Sequence, residues 1–179
     1  MTKKRIAVFD LDGTLVETDA ANNAAYLWAL TRAGVVGMSG ASGRISANMI
    51  RSATRLSVGE MDDIVCTKAR AYCRELWRTR LGPAASTLRY VLVNRSAYEK
   101  VVLLTDSVER RAMETLTFYG LVDYFDEIVC NGGIGDKYLN YFNSYDADPN
   151  VCVVWENEDR KVLAAIAAGV NAENIRKVA

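Results

Sequence analysis

Two aspartates near the start of the chain are the residues whose type and spacing most clearly suggest chemistry. Asp10 and Asp12 follow the apolar, partly β-branched run at 5–9. Side chains two positions apart at a strand end leave the same side of the backbone, and Gly13 permits a sharp turn after them. Two such carboxylates repel each other unless a divalent cation neutralises them, and oxygen ligands favour Mg2+ over zinc. The pair could serve as nucleophile and general acid–base, although the same pattern also occurs in ordinary acidic turns.

Three later apolar runs also stop at polar or glycine residues. These runs are the elements that would position further polar side chains beside the two aspartates. The four runs are 5–9, 101–104, 127–130 and 151–155. Helical patterns lie before the second run at 84–97, between the second and third runs at 107–120, and after the fourth run at 159–168. Strands that alternate with helices predict an α/β fold, Rossmann-like and doubly wound, with a mainly parallel sheet. Because ligands of such folds bind beyond the carboxyl ends of the strands, we expect the polar residues after the runs to converge there.

The segment 17–85 lacks strand-like runs and carries three helical patterns, at 20–33, 44–55 and 58–81. Glycines between the first two patterns supply turn residues. The segment therefore predicts a small all-helical cap inserted after the first strand. We expect residues 1–16 and 86–179 to form the α/β catalytic core and residues 17–85 to form the cap.

The composition excludes several kinds of protein. The 179 residues contain 22 Lys and Arg, 22 Asp and Glu, and no histidine. The absence of histidine excludes a serine–histidine relay and a histidine-ligated zinc site, and zero net charge gives no support for a nucleic-acid or membrane partner. The four cysteines form no C-x-x-C pair and the first apolar run is too short for a signal peptide, so we expect a cytoplasmic protein. The sequence does not indicate the oligomeric state.

The chain resembles the haloacid-dehalogenase-like superfamily of phosphotransferases, and the resemblance covers nearly its whole length in the right order. The string FDLDGTLV at 9–16 resembles the first motif of that family, and VLLTDS at 102–107 is similar to the second. Lys137 occupies the place of the third-motif lysine. The alanine-rich segment 162–170 is similar to the helix after the fourth motif, and the cap segment resembles the family's helical cap class.

The resemblance implies a role for each matched residue. Asp10 would be the nucleophile that forms an aspartyl-phosphate, and Asp12 would protonate the leaving oxygen and then activate water. The Thr105 hydroxyl, the Asp106 backbone N–H and the Lys137 ammonium would hold the phosphoryl oxygens. Because dehalogenases of the superfamily lack an aspartate at the position of Asp12, its presence favours phosphoryl transfer. The implied function is a magnesium-dependent phosphatase that hydrolyses a small phosphorylated metabolite.

The fourth motif departs from the family pattern, which reads Gly-Asp followed by a second Asp four residues later. Glu156 stands at the glycine, Asn157 at the first aspartate and Lys161 at the second. Asn157 keeps a carbonyl oxygen that can bind Mg2+ but it lacks charge. The expected metal ligands are Asp10, Asp12, Asn157 and Glu156, in a site of weak or substrate-dependent affinity.

Substrate choice is expected to depend on the cap. Arg44 and Arg51 are candidates for binding a second anionic group, since arginine binds phosphate or carboxylate through two hydrogen bonds, but both could equally be solvated surface residues. Two other functions remain open. A binding or regulatory protein could keep the fold with little or no catalysis. A phosphomutase would keep Asp10, Asp12, Thr105 and Lys137 but would return the phosphoryl group to the substrate.

Overall fold

The computed structural model describes residues 4–37 and 43–178, which contain the following strands and helices. The strands are β1 (Arg5–Phe9), β2 (Val16–Glu17), β3 (Arg80–Leu81), β4 (Tyr98–Thr105), β5 (Glu127–Cys130), β6 (Cys152–Glu156) and β7 (Ile175–Lys177). The α-helices are α1 (Asp19–Arg32), α2 (Ala47–Ala53), α3 (Val58–Tyr72), α4 (Ala85–Val93), α5 (Glu109–Tyr119), α6 (Lys137–Ser144) and α7 (Asp159–Ala167). No helix in these two ranges combines the length and the apolar character that a membrane span requires.

Five of the strands in the described ranges form a parallel sheet in the order β5-β4-β1-β6-β7. Val8 of β1 lies opposite Val102 of β4 on one side and Val154 of β6 on the other. Since all neighbouring strands run in the same direction, the carboxyl ends of β1, β4, β5 and β6 lie at one edge of the sheet. The predicted doubly wound α/β fold is therefore confirmed. The strand β7 was not predicted, because only Ile175 in it is apolar and no apolar run marks it.

Alternate residues of the central strands build two cores, one on each face of the sheet. Ala7 and Phe9 of β1 pack in the core that contains buried residues of α4 and α5. Ile6 and Val8 pack in the other core, with buried residues of α6 and α7. This alternation is the period of two that a strand imposes on its side chains. Strands covered on both faces are long apolar runs, which explains why the sequence pattern could locate them.

The chain divides into two compact units. Unit 1 comprises Met1–Val16 and Leu81–Ala179 and contains the parallel sheet, and unit 2 comprises Glu17–Arg80 and contains α1, α2 and α3. The sequence placed the second boundary at residue 85. In the structure the amides of Gly82 and Ala84 donate to the carbonyls of Leu15 and Thr14, so this short segment belongs with unit 1.

Unit 2 is helical, as the sequence predicted for this segment. Tyr26 and Leu30 of α1 share a core with Ile50 of α2 and Ile64 of α3. The predicted helix at 58–81 is shorter in the structure: α3 ends at Tyr72, a 3₁₀ helix follows over Cys73–Arg78, and the chain then becomes extended. The spacing of apolar residues does not distinguish the two helix types here.

Candidate active site

The loop after β1 brings the first motif into contact with the loop after β6. The Asp10 amide donates to the Trp155 carbonyl over 3.1 Å, which continues the pairing of β1 with β6 past the end of β1. Gly13 has a φ of +78°, and a Cβ atom at this position would lie 2.3 Å from Nδ2 of Asn157. The positive φ therefore favours glycine at position 13, and a side chain there would also have to displace the Asn157 side chain. The Thr14 hydroxyl donates to Oδ1 of Asn157 over 3.2 Å.

Asp10 and Lys137 form a buried ion pair at the carboxyl end of β1. The Lys137 ammonium donates to Oδ1 of Asp10 over 2.7 Å, and the two side chains are 1% and 8% exposed. Lys137 is the first residue of α6, and Asp136 caps that helix by accepting from the amides of Tyr138 and Leu139. The helix cap thus fixes the position from which the lysine side chain reaches the aspartate.

Glu156, the last residue of β6, holds the same lysine from the other side. Its Oε2 lies 2.8 Å from the Lys137 ammonium and accepts from the Tyr138 hydroxyl over 2.9 Å. Its Oε1 accepts from the amides of Asn157 and Glu158 over 3.0 and 3.2 Å. Both carboxylate oxygens of this buried residue are therefore occupied by protein donors. This arrangement is that of an anchor for Lys137, in contrast to the metal-ligand role that the sequence suggested.

The cluster of Asp10, Lys137 and Glu156 places two carboxylates around one ammonium group. Burial raises the pKa of Asp10 to about 7; Lys137 counteracts this, and the neighbouring Glu156 and Asp12 add to it. Burial acts to lower the pKa of Lys137, but the nearby carboxylates outweigh it and hold that pKa well above its ordinary value. The lysine is therefore charged. When Asp10 and Glu156 are both ionised, the cluster still has a net negative charge.

Asp12 has its own set of partners on the second-motif side of the site. The Ser107 hydroxyl donates to Oδ2 of Asp12 over 2.6 Å, and Arg111 of α5 forms an ion pair with Oδ1. The Ser107 amide donates to the hydroxyl oxygen of Thr105 over 3.1 Å, and Thr105 is fully buried. Ser107 and Arg111 were not among the predicted site residues. Ser107 is the last residue of the second-motif string and Arg111 lies in the first turn of α5, so their closeness to Thr105 in the sequence is the signal that could have found them.

Asp106 is held by one group that follows the end of β5 and by one group on α7. Its Oδ1 accepts from the Asn131 side-chain amide over 2.8 Å, and its Oδ2 forms an ion pair with Lys161 of α7. Burial acts to raise the pKa of Asp106, but these two bonds outweigh it and lower that pKa below its usual value. Lys161, noted in the sequence only as a departure from the family pattern, is thus part of the site edge.

Asp10 and Asn157 are residues of this site whose side-chain oxygens have the chemistry to bind a hard cation. Of the two carboxylate oxygens of Asp10, only Oδ1 accepts a hydrogen bond from a described residue, which is Lys137. The amide oxygen of Asn157 accepts from the Thr14 hydroxyl. The side-chain oxygens of Asp12 and Glu156 accept from protein donors instead. Added positive charge beside Asp10 would stabilise its ionised form and so counteract the effect of burial on its pKa. Residues 4–37 and 43–178 contain no group of three or more Asp, Glu, Cys or His arranged to hold a metal.

The two arginines predicted to bind substrate lie in unit 2. Arg44 forms an ion pair with Asp19 over 2.6 Å and donates to the Thr18 hydroxyl over 3.1 Å. Arg51 lies in the last turn of α2 and is exposed. Their predicted role stays a prediction.

Comparison with known proteins identifies the family of this chain. The profile of the haloacid dehalogenase-like hydrolases matches residues 7–173. The fructose-1-phosphate phosphatase YqaB of Escherichia coli is 25% identical over 94% of this chain and 95% of its own length. Two solved structures share the fold. A haloacid dehalogenase-like hydrolase from Streptococcus pneumoniae has 19% identity and a TM-score of 0.68 over 96% of this chain and 84% of its own. A protein from Haemophilus somnus, described as a predicted phosphoglycolate phosphatase, has 17% identity and a TM-score of 0.73 over 95% and 84%. The chain belongs to the haloacid dehalogenase-like hydrolase family.

Proposed function

We propose that the protein is a phosphatase that hydrolyses a small phosphorylated metabolite through a phosphate ester on Asp10. The observation that carries this proposal is the different pairing of two neighbouring carboxylates. The buried Asp10 pairs with Lys137, and Asp12, two residues later, is bound by Arg111 and Ser107. The two neighbouring acids therefore have different surroundings, as separate roles in one reaction require. The similarity to a named fructose-1-phosphate phosphatase supports the same reaction class.

In the first step of the proposed reaction, a carboxylate oxygen of Asp10 attacks phosphorus. The bond from phosphorus to the leaving oxygen breaks, and Asp12 supplies the proton that the leaving oxygen takes up. Lys137 holds Asp10 in place and offsets negative charge on the phosphoryl oxygens, while the Thr105 hydroxyl and the Asp106 amide are the proposed donors to those oxygens. Fixed donors of this kind stabilise the charge that spreads over the phosphoryl group in the transition state.

In the second step, Asp12 accepts a proton from water, and the water oxygen attacks the phosphorus of the ester on Asp10. The bond between phosphorus and the Asp10 oxygen breaks, which releases inorganic phosphate and restores the free carboxylate. Division into two displacements replaces one difficult step by two easier ones. Arg111 and Ser107 are proposed to hold the Asp12 carboxylate in position for this step.

Mg2+ is the proposed cofactor, with Asp10 and Asn157 as its side-chain ligands. When bound, it would supply positive charge that offsets the repulsion between the Asp10 carboxylate and the incoming phosphoryl group. Glu156 is not proposed as a ligand, because Lys137, Tyr138 and two backbone amides occupy its oxygens. The small number of charged ligands favours weak binding of the metal.

Unit 2 is proposed to act as the helical cap that contributes to the choice of substrate. Arg44 and Arg51 remain the proposed contacts for a second anionic group of the metabolite. The four cysteines are free thiols in the structure. They are in keeping with the reducing cytoplasm, which we propose as the location of the enzyme.

The proposal is tested by measuring phosphate release from a panel of phosphorylated metabolites and from an aryl phosphate, with and without Mg2+. We expect release that depends on Mg2+ and that falls at least about a thousandfold in Asp10→Asn, since the nucleophile is lost. A trapped phosphoenzyme in the native protein, absent from Asp10→Asn, would identify the acceptor oxygen.

The panel also separates the other two functions. Isomerisation that requires a bisphosphate and releases no net phosphate would identify a mutase. No turnover of any substrate, together with no detectable Mg2+ binding by calorimetry, would identify a binding protein that keeps the fold.

A further inference from the structure

Lys161 places a cation at the edge of the candidate site, in a position that the family pattern fills with an acid. The residue lies in the first turn of α7, and its amide donates to the Glu158 carbonyl over 2.9 Å. Its ammonium forms an ion pair with Oδ2 of Asp106, and the two side chains are 14% and 31% exposed. Both side chains of this ion pair are therefore partly open to solvent.

The partner of Lys161 belongs to the segment that is proposed to bind the phosphoryl group. Asp106 directly follows Thr105 at the end of β4, and its backbone amide is one of the proposed phosphate donors. Lys137, which contacts Asp10, also acts electrostatically on the Asp106 carboxylate. Lys161 is thus joined, through its ion pair with Asp106, to the segment that is proposed to bind the phosphoryl group.

The charge of the fourth motif has changed in the same direction at two positions. Asn157 is neutral and Lys161 is positive, where the family pattern has an aspartate at each. Less negative charge means a weaker hold on a metal cation but a stronger attraction for a phosphoryl anion. A lysine carries its point charge on a flexible stem, so its ammonium can move from one oxygen acceptor to another nearby.

We propose that Lys161 is a phosphate-binding residue, whose ammonium leaves Asp106 for an oxygen of the phosphoryl group when substrate or product phosphate binds. Asp106 then acts as the resting partner of the lysine and competes with the anion for it. The proposal rests on the proposed function for the position of the phosphoryl group. A purely structural ion pair would instead brace α7 against the end of β4, and would not respond to the anion.

The test is direct measurement of inorganic phosphate binding by calorimetry at fixed salt and fixed Mg2+, which requires no turnover. Lys161→Gln should weaken phosphate binding about tenfold, the cost expected for the loss of one charge-assisted hydrogen bond. Lys161→Arg keeps the charge and should retain most of the affinity. Asp106→Asn removes the competing carboxylate but keeps the backbone amide, so it should strengthen phosphate binding by about two- to fivefold.

Arg160→Gln is the matched control, because it removes the same charge from the adjacent residue. Arg160 pairs with Glu158 through an exposed contact, and its side chain is 78% exposed. Its loss should leave phosphate affinity within about twofold. Thermal unfolding of every variant checks that each is folded.

The size of the loss in Lys161→Gln separates direct anion binding from bracing. If the pair only braced α7, Lys161→Gln would leave phosphate affinity within about twofold, as in Arg160→Gln, and that result would overturn the proposal. An equal loss in Arg160→Gln would also overturn it, since the effect would then be general charge. Phosphate release by the native protein together with an unchanged affinity in Lys161→Gln would remove this inference alone. The expected loss in Lys161→Gln, in a protein without turnover, would sustain it even if the proposed phosphatase function fails.

Discussion

The Lys137 ammonium lies 2.8 Å from Oε2 of Glu156, and each of these side chains is only 1% exposed. The same ammonium lies 2.7 Å from Oδ1 of Asp10. Because this buried lysine has a carboxylate on each side, Glu156 helps to set where the positive charge beside Asp10 is placed. Glu156 in turn is tied to the turn after β6 through the amides of Asn157 and Glu158.

Replacement of Glu156 by alanine is expected to destabilise the protein strongly. The change leaves Tyr138 and two backbone amides without their acceptor and removes one partner of a buried ion pair, a loss that costs about 3–5 kcal/mol. Glu156→Gln keeps an oxygen acceptor for the amides and should cost less. Urea unfolding at pH 7 measures both variants. Glu158→Ala is the control, since its exposed contact with Arg160 is worth under about 1 kcal/mol. A similar, small loss in Glu156→Ala and Glu158→Ala would contradict the role of Glu156 as an anchor.

The stability of the metal-free protein should depend on pH through Asp10. Its pKa is raised from 3.8 to about 7 in the fold, chiefly by burial, so the folded state binds this proton more tightly than the unfolded chain does. The resulting stabilisation is complete below about pH 4 and is lost as the pH rises through 7. Asp10→Asn, which stays neutral, should therefore gain about 2 kcal/mol relative to the native protein between pH 5 and pH 8.

Urea unfolding at the two pH values, without divalent cations, measures this gain. The exposed Asp146 provides the control, because Asp146→Asn removes a carboxylate from the surface and leaves the buried cluster intact. Addition of Mg2+ at pH 8 should reduce the advantage of Asp10→Asn, since a cation stabilises the ionised carboxylate. A constant difference between Asp10→Asn and the native protein would show that Asp10 is ionised throughout this range.

The convergence of the motifs was predictable because the fold is a parallel sheet. Apolar runs located β1, β4, β5 and β6, and parallel strands bring their carboxyl ends to one edge. Asp10 follows β1 and Glu156 ends β6 of this sheet, and Lys137 joins their side chains. The pattern specifies where a strand ends but does not specify which atoms its polar side chains contact.

The unpredicted parts of the site depend on long side chains that arrive from helices. Glu156 was expected to bind metal because of its position in the fourth motif, but Lys137 reaches it from α6 and occupies one of its oxygens. Arg111 reaches Asp12 from α5 in the same way. The reach of a lysine or arginine exceeds one helical turn, so sequence spacing alone does not identify its partner.

Asn157→Asp is expected to raise the affinity for Mg2+. The change adds a carboxylate to a site where Asp10 is the one proposed charged ligand, and ligand charge is a main determinant of affinity for hard divalent cations. We expect Mg2+ to bind on the order of tenfold more tightly by calorimetry, which measures the metal itself and not turnover. Glu158→Gln is a suitable control, because it alters charge one residue away without altering the proposed ligands. Equal Mg2+ affinity in Asn157→Asp and the native protein would exclude residue 157 as a ligand.

Arg111→Met should lower kcat about ten- to a hundredfold with little change in KM. The ion pair of Arg111 with Oδ1 and the hydrogen bond of Ser107 to Oδ2 fix the orientation of the Asp12 carboxylate. A proton-transfer group that loses its orientation loses rate without losing substrate binding, since general acid–base catalysis contributes about 10²–10⁴-fold. Ser107→Ala should have the same kind of effect, and Arg111→Lys should recover part of the rate.

The adjacent Arg110 is the matched control for this prediction, because it pairs with Glu114 at the surface and its side chain is 64% exposed. Arg110→Met should keep kcat within about twofold of the native value. Steady-state kinetics on one phosphate ester separate kcat from KM for each variant. A rise in KM at constant kcat in Arg111→Met would mean that Arg111 binds the substrate anion directly. It would then not orient Asp12.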